Sequence, residues 1–295
     1  MSRVEPLVFR CGAESLVGVL HRPVVATVRV GVVVIVGGPQ YRVGSHRQFV
    51  SLGHALAAGG VACLRFDYRG MGDSAAAARG FEQVDEDICA AIDALSAACP
   101  ELDGVVLWGL CDGASAAFMY APHDPRVRGI VALNPWVRSA ASLAAARIDH
   151  YYKGKMLSAR FWLRVLRGDV RIAQAVSGFV AALDKRRRAR PAQADARPAA
   201  ARGFVERMGE GWRRMQGQVL VVLSGKDLTA REFADFCRAR PQWQAAVVPG
   251  PDLVEIAEAD HTFSSRAWKA SVEAATLRWL HERFGRVADG AEGAA

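Results

Sequence analysis

The chain has 295 residues, 51% hydrophobic and 23% charged, a composition that supports a large core and excludes a disordered polypeptide. No apolar run approaches the roughly 20 residues that cross a bilayer, so no transmembrane segment is expected. The net charge is +8, but ten basic and three acidic residues between Lys185 and Arg214 supply nearly all of it, which excludes a nucleic-acid-binding face spread over a domain.

In chain order, residues 7–10 and 16–20 read as two short strands around a polar turn at 12–15. Residues 30–36 form a continuous apolar run, as in a strand buried on both faces, and it ends in Gly37-Gly38-Pro39-Gln40, a loop signal. A helix is predicted over about 47–58 and is stopped by Gly59-Gly60. Residues 61–66 are the next strand, and Asp67-Tyr68-Arg69-Gly70-Met71-Gly72-Asp73-Ser74 the loop after it. A helix over about 84–98 carries Ile88, Ala91, Ile92 and Leu95 on one face. Strands are predicted at 105–108 and 127–133, the second ending in Asn134-Pro135-Trp136. Residues 219–223 form another apolar strand, followed by Ser224-Gly225-Lys226-Asp227. The rest reads as a helix over 231–240, a weaker strand over 245–248, an amphipathic helix over 266–284 and an Ala/Gly-rich tail after Val287.

Strands alternating with helices predict a mostly parallel sheet with helices on both faces. The alternation breaks between about Arg138 and Met215. There Tyr151, Tyr152, Phe161, Trp162, Leu163 and Leu166 precede the Arg-rich segment, which predicts a helical cap followed by a basic, mobile loop. The expected organisation is a core over 1–137, a cap over 138–215, the second half of the core over 216–285 and a flexible tail over 286–295. The Arg run at 185–190 reads most simply as solvated; a weak contact with an anionic membrane surface is its sharper reading. Residues 1–6 lack the apolar stretch of a secretory signal, and none of the six cysteines forms a C-x-x-C pair. Free thiols and a cytoplasmic location are therefore expected.

The chemistry gathers around Val105-Val106-Leu107-Trp108-Gly109-Leu110-Cys111-Asp112-Gly113-Ala114. A buried strand runs into a helix of small residues, and Gly109-Leu110-Cys111-Asp112-Gly113 has the spacing of a G-x-S-x-G nucleophile elbow with cysteine in place of serine. The strained turn needs small neighbours, and the following helix N-terminus favours a thiolate. A cysteine nucleophile needs a base, and the base an orienting acid. Asp227 follows an apolar strand at its C-terminal end, and His261 lies in Glu258-Ala259-Asp260-His261-Thr262-Phe263 just before the last helix. Asp260 adjoins His261, and neighbouring side chains in extended chain point apart, so it is a weaker acid candidate; Asp252 is another competitor.

The chain resembles the α/β-hydrolase superfamily over roughly 1–137 and 216–285. The motifs are Gly37-Gly38 after the third strand, Asp67-x-Arg69-Gly70-x-Gly72-x-Ser74, the elbow, Ser224-Gly225-x-Asp227 and Asp260-His261-x-Phe263, all in order. More narrowly, Val36-Gly37-Gly38-Pro39-Gln40-Tyr41-Arg42 and Gly109-Leu110-Cys111-Asp112 resemble the exosortase A system-associated hydrolase type 1 family, bacterial hydrolases encoded near exosortase and exopolysaccharide functions. The resemblance implies an α/β-hydrolase fold with a cap and acyl transfer by a Cys111–His261–Asp227 triad. Cys111 attacks a carbonyl, His261 moves the proton, and Asp227 holds the imidazole. A thioester intermediate suits an activated ester, thioester or lactone, or transfer to another acceptor.

The oxyanion hole needs two donors. One is expected from the backbone N–H of Asp112; the other normally comes from the loop after the third strand. Pro39 has no N–H, which leaves Gln40 as first choice and Gly38 as second. The Asp112 carboxylate beside the nucleophile could oppose thiolate formation or cap the helix N-terminus, and the cap is preferred. Tyr151, Tyr152, Phe161 and Trp162 are candidate pocket residues, because caps of this fold border the pocket. His46, His54, His123 and His150 have no metal-ligand spacing, and no metal, cofactor, nucleotide or nucleic-acid site is expected. The partner expected is a small acyl substrate. An acyltransferase and a non-catalytic binder of the same shape are the alternatives to a hydrolase; the Cys111–Asp227–His261 order argues against the binder.

Overall fold

Five apolar strands lie side by side in the middle of this protein and need no polar face. The structure, a computed structural model, describes residues 3–138, 203–215, 218–248 and 252–285. Its strands are β1 (Arg3–Cys11), β2 (Glu14–Arg22), β3 (Val30–Ile35), β4 (Cys63–Asp67), β5 (Gly104–Leu110), β6 (Val127–Leu133), β7 (Val219–Ser224) and β8 (Leu253–Ile256). They form one sheet in the order β1-β2-β4-β3-β5-β6-β7-β8. The β1–β2 and β2–β4 pairs are antiparallel, and every later pair is parallel. β3, β4, β5 and β7 are buried at every position, as parallel strands with helices on both faces must be. β1 is an edge, where Pro6 removes a ladder donor and Arg3 and Arg10 face water.

The helices are α1 (Gln48–Ala58), α2 (Asp85–Ala98), α3 (Asp112–Tyr120), α4 (Phe204–Arg214), α5 (Leu228–Arg238) and α6 (Arg266–Phe284). Asp85, Glu86 and Asp87 open α2, where negative charge suits the helix dipole. Trp108 of β5 ties the sheet to one helical layer. Its ring meets Phe49 of α1 edge-on at 5.7 Å, and its indole N–H donates to Thr276 Oγ1 of α6 at 3.4 Å. The stretch 138–215, expected to form the cap, contributes α4 to the described residues. α4 packs on α3 so closely that a side chain at Gly211 would collide with the Phe118 backbone. Residues 139–202, which hold Tyr151, Tyr152, Phe161, Trp162 and the Arg run at 185–190, lie outside the described residues, as does the tail from 286.

The predicted alternation describes this sheet well, with one correction. Residues 245–248 are not a strand. Pro241–Val247 is a 3₁₀ turn, and the last strand is β8, which pairs with β7 at Val221↔Leu253. Tertiary packing overrides the local apolar run. Trp243, 1% exposed, stacks on Trp212 of α4 at 5.4 Å and meets Phe118 and Phe233 edge-on, and a tight turn with Pro241 in its first residues delivers it there. α5 also starts at Leu228, three residues earlier than predicted, because Asp227 caps it.

Parallel registry sets the site. Ile35 pairs with Gly109, Leu110 with Leu133, and Leu133 with Val222. The C-terminal ends of β3, β5, β6 and β7 therefore lie in a row. Gly37-Gly38, Cys111, Asn134 and Asp227 leave the sheet along one edge, the usual position for a ligand site in an open α/β sheet.

Candidate active site

Cys111 stands between β5 and α3 with φ 60° and ψ −123°, a backbone conformation that L-residues avoid. Such a residue costs about 1–3 kcal/mol and persists only when its surroundings fix it. Here they do. Its N–H donates to Leu133 O at 2.9 Å, and its carbonyl accepts from the N–H groups of Ala114, Ser115 and Trp136 at 3.1–3.2 Å. The two glycines of the motif have separate steric reasons. A Cβ at Gly109 would strike the Gly113 backbone, and one at Gly113 would strike the carbonyl of Ile35 in β3.

His261 faces Cys111 from the loop after β8. Its Nδ1 lies 2.8 Å from Asp227 Oδ2, and Cys111 lies near enough on its other side to favour its charged form. Asp227 and Cys111 hold the imidazole charge and carry its pKa up to about 10, against the opposing effect of burial. Burial alone would raise the Asp227 carboxyl. The His261 hydrogen bond and charge, with N–H groups of Ala230 and Thr229 at 3.0 and 3.2 Å, outweigh it and hold the group below its ordinary range. Asp227 thus caps α5 and orients His261 with one carboxylate. The competing acids are engaged elsewhere. Asp260 accepts from the N–H groups of Thr262 and Ser264, and Asp252 from Trp279 Nε1 and Arg283.

A buried asparagine that the sequence reading passed over ties these loops together. Asn134, fully buried with φ 42°, follows β6. Its Oδ1 accepts from Ser224 N at 2.9 Å, and its Nδ2 donates to Ser224 Oγ at 2.8 Å and to the His261 carbonyl at 3.0 Å. Ser224 Oγ donates on to Asp260 O at 2.8 Å. The only local signal was an Asn immediately after a strand, where its tolerance of positive φ is useful.

On the other side of Cys111, the Gly38 N–H donates to Asp112 Oδ1 at 2.6 Å. The backbone of Gly113 and of Asp112 itself also favours the charged form of this carboxylate. Burial pushes this carboxyl up, against those groups and the His261 charge. The side-chain Oε1 of Gln40, whose backbone N–H was the expected first choice for the second donor, accepts from Ser45 N and Gln48 Nε2. The loop is held from below by Asp67, which accepts the Arg42 N–H at 2.6 Å and pairs with the Arg42 guanidinium, while Arg65 donates to the Arg42 carbonyl at 2.5 Å. Arg65 also donates to His21 Nε2 at 2.9 Å, and burial beside that cation lowers the His21 pKa to about 4. Arg69 grips Asp87 with both its backbone N–H and its guanidinium, so Asp67 and Arg69 both serve loop structure. His54 packs edge-on against His21, and among the described residues no three His, Cys, Asp or Glu side chains gather as a metal would require.

A strand–elbow–helix nucleophile with an acid and a histidine on later strand ends is the arrangement of an α/β hydrolase. The sequence model of the alpha/beta hydrolase family matches residues 32–274, and the chain belongs to that family. No curated protein sequence matches it. Among solved structures it is similar to an esterase of Pyrococcus furiosus (TM-score 0.60, 15% identity, 96% of this chain and 92% of that one). It is also similar to an α/β serine hydrolase without lid from Xanthomonas campestris (0.57, 16%, 97% of each chain). A third likeness is to a dienelactone hydrolase of Anabaena variabilis (0.57, 16%, 97% and 99%). At these identities the likeness is one of fold.

Proposed function

We propose that this protein is a cysteine-nucleophile hydrolase of activated acyl esters, thioesters or lactones, with Cys111 as nucleophile, His261 as base and acid, and Asp227 as its orienter. The observation that carries this is the line of contacts from Asp227 through His261 to Cys111, with Cys111 held on a strained turn. In the mechanism we propose, His261, which favours its charged form, takes the Cys111 proton and leaves a thiolate. The thiolate attacks the carbonyl carbon, the C=O electron pair moves to oxygen, and its return expels the leaving group, protonated by His261. Neutral His261 then takes a proton from water, whose oxygen attacks the thioester; collapse releases the acid and restores the thiolate–imidazolium pair. Gly38 and Asp112 N–H groups are the donors we assign to the oxygen. An activated acyl group fits because a thiolate is a good leaving group and expels an amine or alkoxide poorly.

The match of Val36 to Arg42 and Gly109 to Asp112 to exosortase-associated hydrolases adds a setting near exopolysaccharide functions to this proposal. Six free thiols suit the reducing cytoplasm we propose for it. The test is a panel of aryl esters, alkyl esters, thioesters and lactones, with Cys111 labelling by iodoacetamide in parallel. Turnover of the activated members, its loss in Cys111→Ala, residual esterase activity in Cys111→Ser and labelling faster than a denatured-protein thiol are expected. Full turnover in Cys111→Ala would overturn the assignment.

A further inference from the structure

The Asp112 carboxylate lies where a reacting oxygen would have to go. Its Oδ1 accepts the Gly38 N–H at 2.6 Å, and the carboxylate lies close to the backbone of Gly113 at the start of α3. Gly38 is the donor that the strand-end loop would supply to an oxyanion, beside the elbow N–H of Asp112. The fit is built on both sides. A Cβ at Gly37 would strike both the Leu110 carbonyl and Asp112 Oδ1, so the β3 loop approaches the carboxylate over a bare backbone. The loop itself is anchored from beneath by Asp67, Arg42 and Arg65. A helix-opening Asp ordinarily faces its own helix; this one bridges to a second strand end.

We infer that Asp112 is a specificity-determining residue that keeps the oxyanion donors occupied by its own carboxylate, so that a substrate must displace it before its carbonyl oxygen can be stabilised. This rests on the proposed role of Cys111. A resident anion in the hole raises the cost of every step that builds charge on oxygen. Carbonyls with good leaving groups, which need least help, are favoured over alkyl esters. Reactions of Cys111 that place no charge there are unaffected.

That contrast supplies the test. Butanal and Cys111 form a hemithioacetal: the S–C bond forms, the C=O π pair moves to oxygen, and the oxygen sits in the hole. Iodoacetamide reacts at a saturated carbon, with iodide leaving, and does not use the hole. Asp112→Ala is expected to bind butanal about tenfold tighter, since one oxyanion donor is worth roughly 10²–10³ in rate. Its iodoacetamide rate, which reads thiolate formation alone, should change by less than its butanal affinity, and its aryl-over-alkyl ester preference should narrow. Unchanged or weaker butanal binding with intact labelling would overturn the inference while leaving the nucleophile standing. Labelling of wild-type Cys111 no faster than a denatured thiol would overturn both. If Asp112→Ala does not fold, a crystal structure of the wild-type butanal adduct decides. The inference expects Asp112 rotated away and the adduct oxygen on Gly38 N; a carboxylate still on Gly38 N would contradict it.

Discussion

The two sides of Cys111 are built differently. On the histidine side, β6, β7 and the loop after β8 are joined by Asn134, Ser224 and Asp227 into a network in which each buried polar group finds a partner, and His261 is already seated between Asp227 and Cys111. On the other side the loop is anchored just as firmly, but the Gly38 N–H is spent on the Asp112 carboxylate next to Cys111. Proton transfer is thus organised at rest, whereas charge acceptance, on our account, must be opened. A proton relay loses little by being preassembled, because its charges pair internally. A free oxyanion hole is a cluster of buried donors with nothing to bind, and an internal carboxylate satisfies it.

Three changes separate the sides, from the largest expected effect to the smallest. His261→Ala should reduce kcat/KM for an aryl ester by roughly 10³-fold or more, since base and acid are lost together. A variant of full activity would remove the histidine side from the mechanism. Asn134→Ala acts through position and not contact. It should lower kcat by about tenfold to 10²-fold with little change in KM, the effect of an ångström-scale shift of the imidazole. Equal losses in kcat and folded fraction, with normal activity per folded molecule, would reduce Asn134 to a purely structural group.

The smallest effect is on pH. The His261 pKa is raised to about 10 by Asp227 and Cys111. A raised folded pKa stabilises in full below the ordinary histidine value near 6.5 and is lost as pH rises through about 10. The melting temperature should therefore fall on the alkaline side, and Asp227→Asn should flatten that fall. An identical alkaline decline in Asp227→Asn would show that the pair does not carry the effect.

Much of this could be read from the sequence because its causes are local. Gly109 and Gly113 are demanded by backbone contact at the turn, and apolar runs mark strands buried on both faces. Asp227 and His261 follow the strand and precede the helix that the chain order requires. What escaped depends on distant partners. Asn134 matters because Ser224 and the His261 loop arrive beside it. The Gly38 N–H meets the Asp112 carboxylate because β3 and β5 are in register at Ile35↔Gly109. Residues 245–248 looked like a strand because the aromatic cluster that claims Trp243 draws on Phe118, Trp212 and Phe233, far apart in the chain. Asp112 was expected to cap its helix, but Cys111 holds the N-cap position and Asp112 is the first helical residue, its carboxylate turned to the Gly38 N–H of another strand end.

The central claim is that Cys111 carries the acyl group. Acid quenching of the protein seconds after mixing with p-nitrophenyl acetate, followed by intact mass and peptide mapping, tests it directly. The account predicts one acetyl group on Cys111. No adduct at Cys111 while the ester is turned over, or an adduct on another residue, would contradict it.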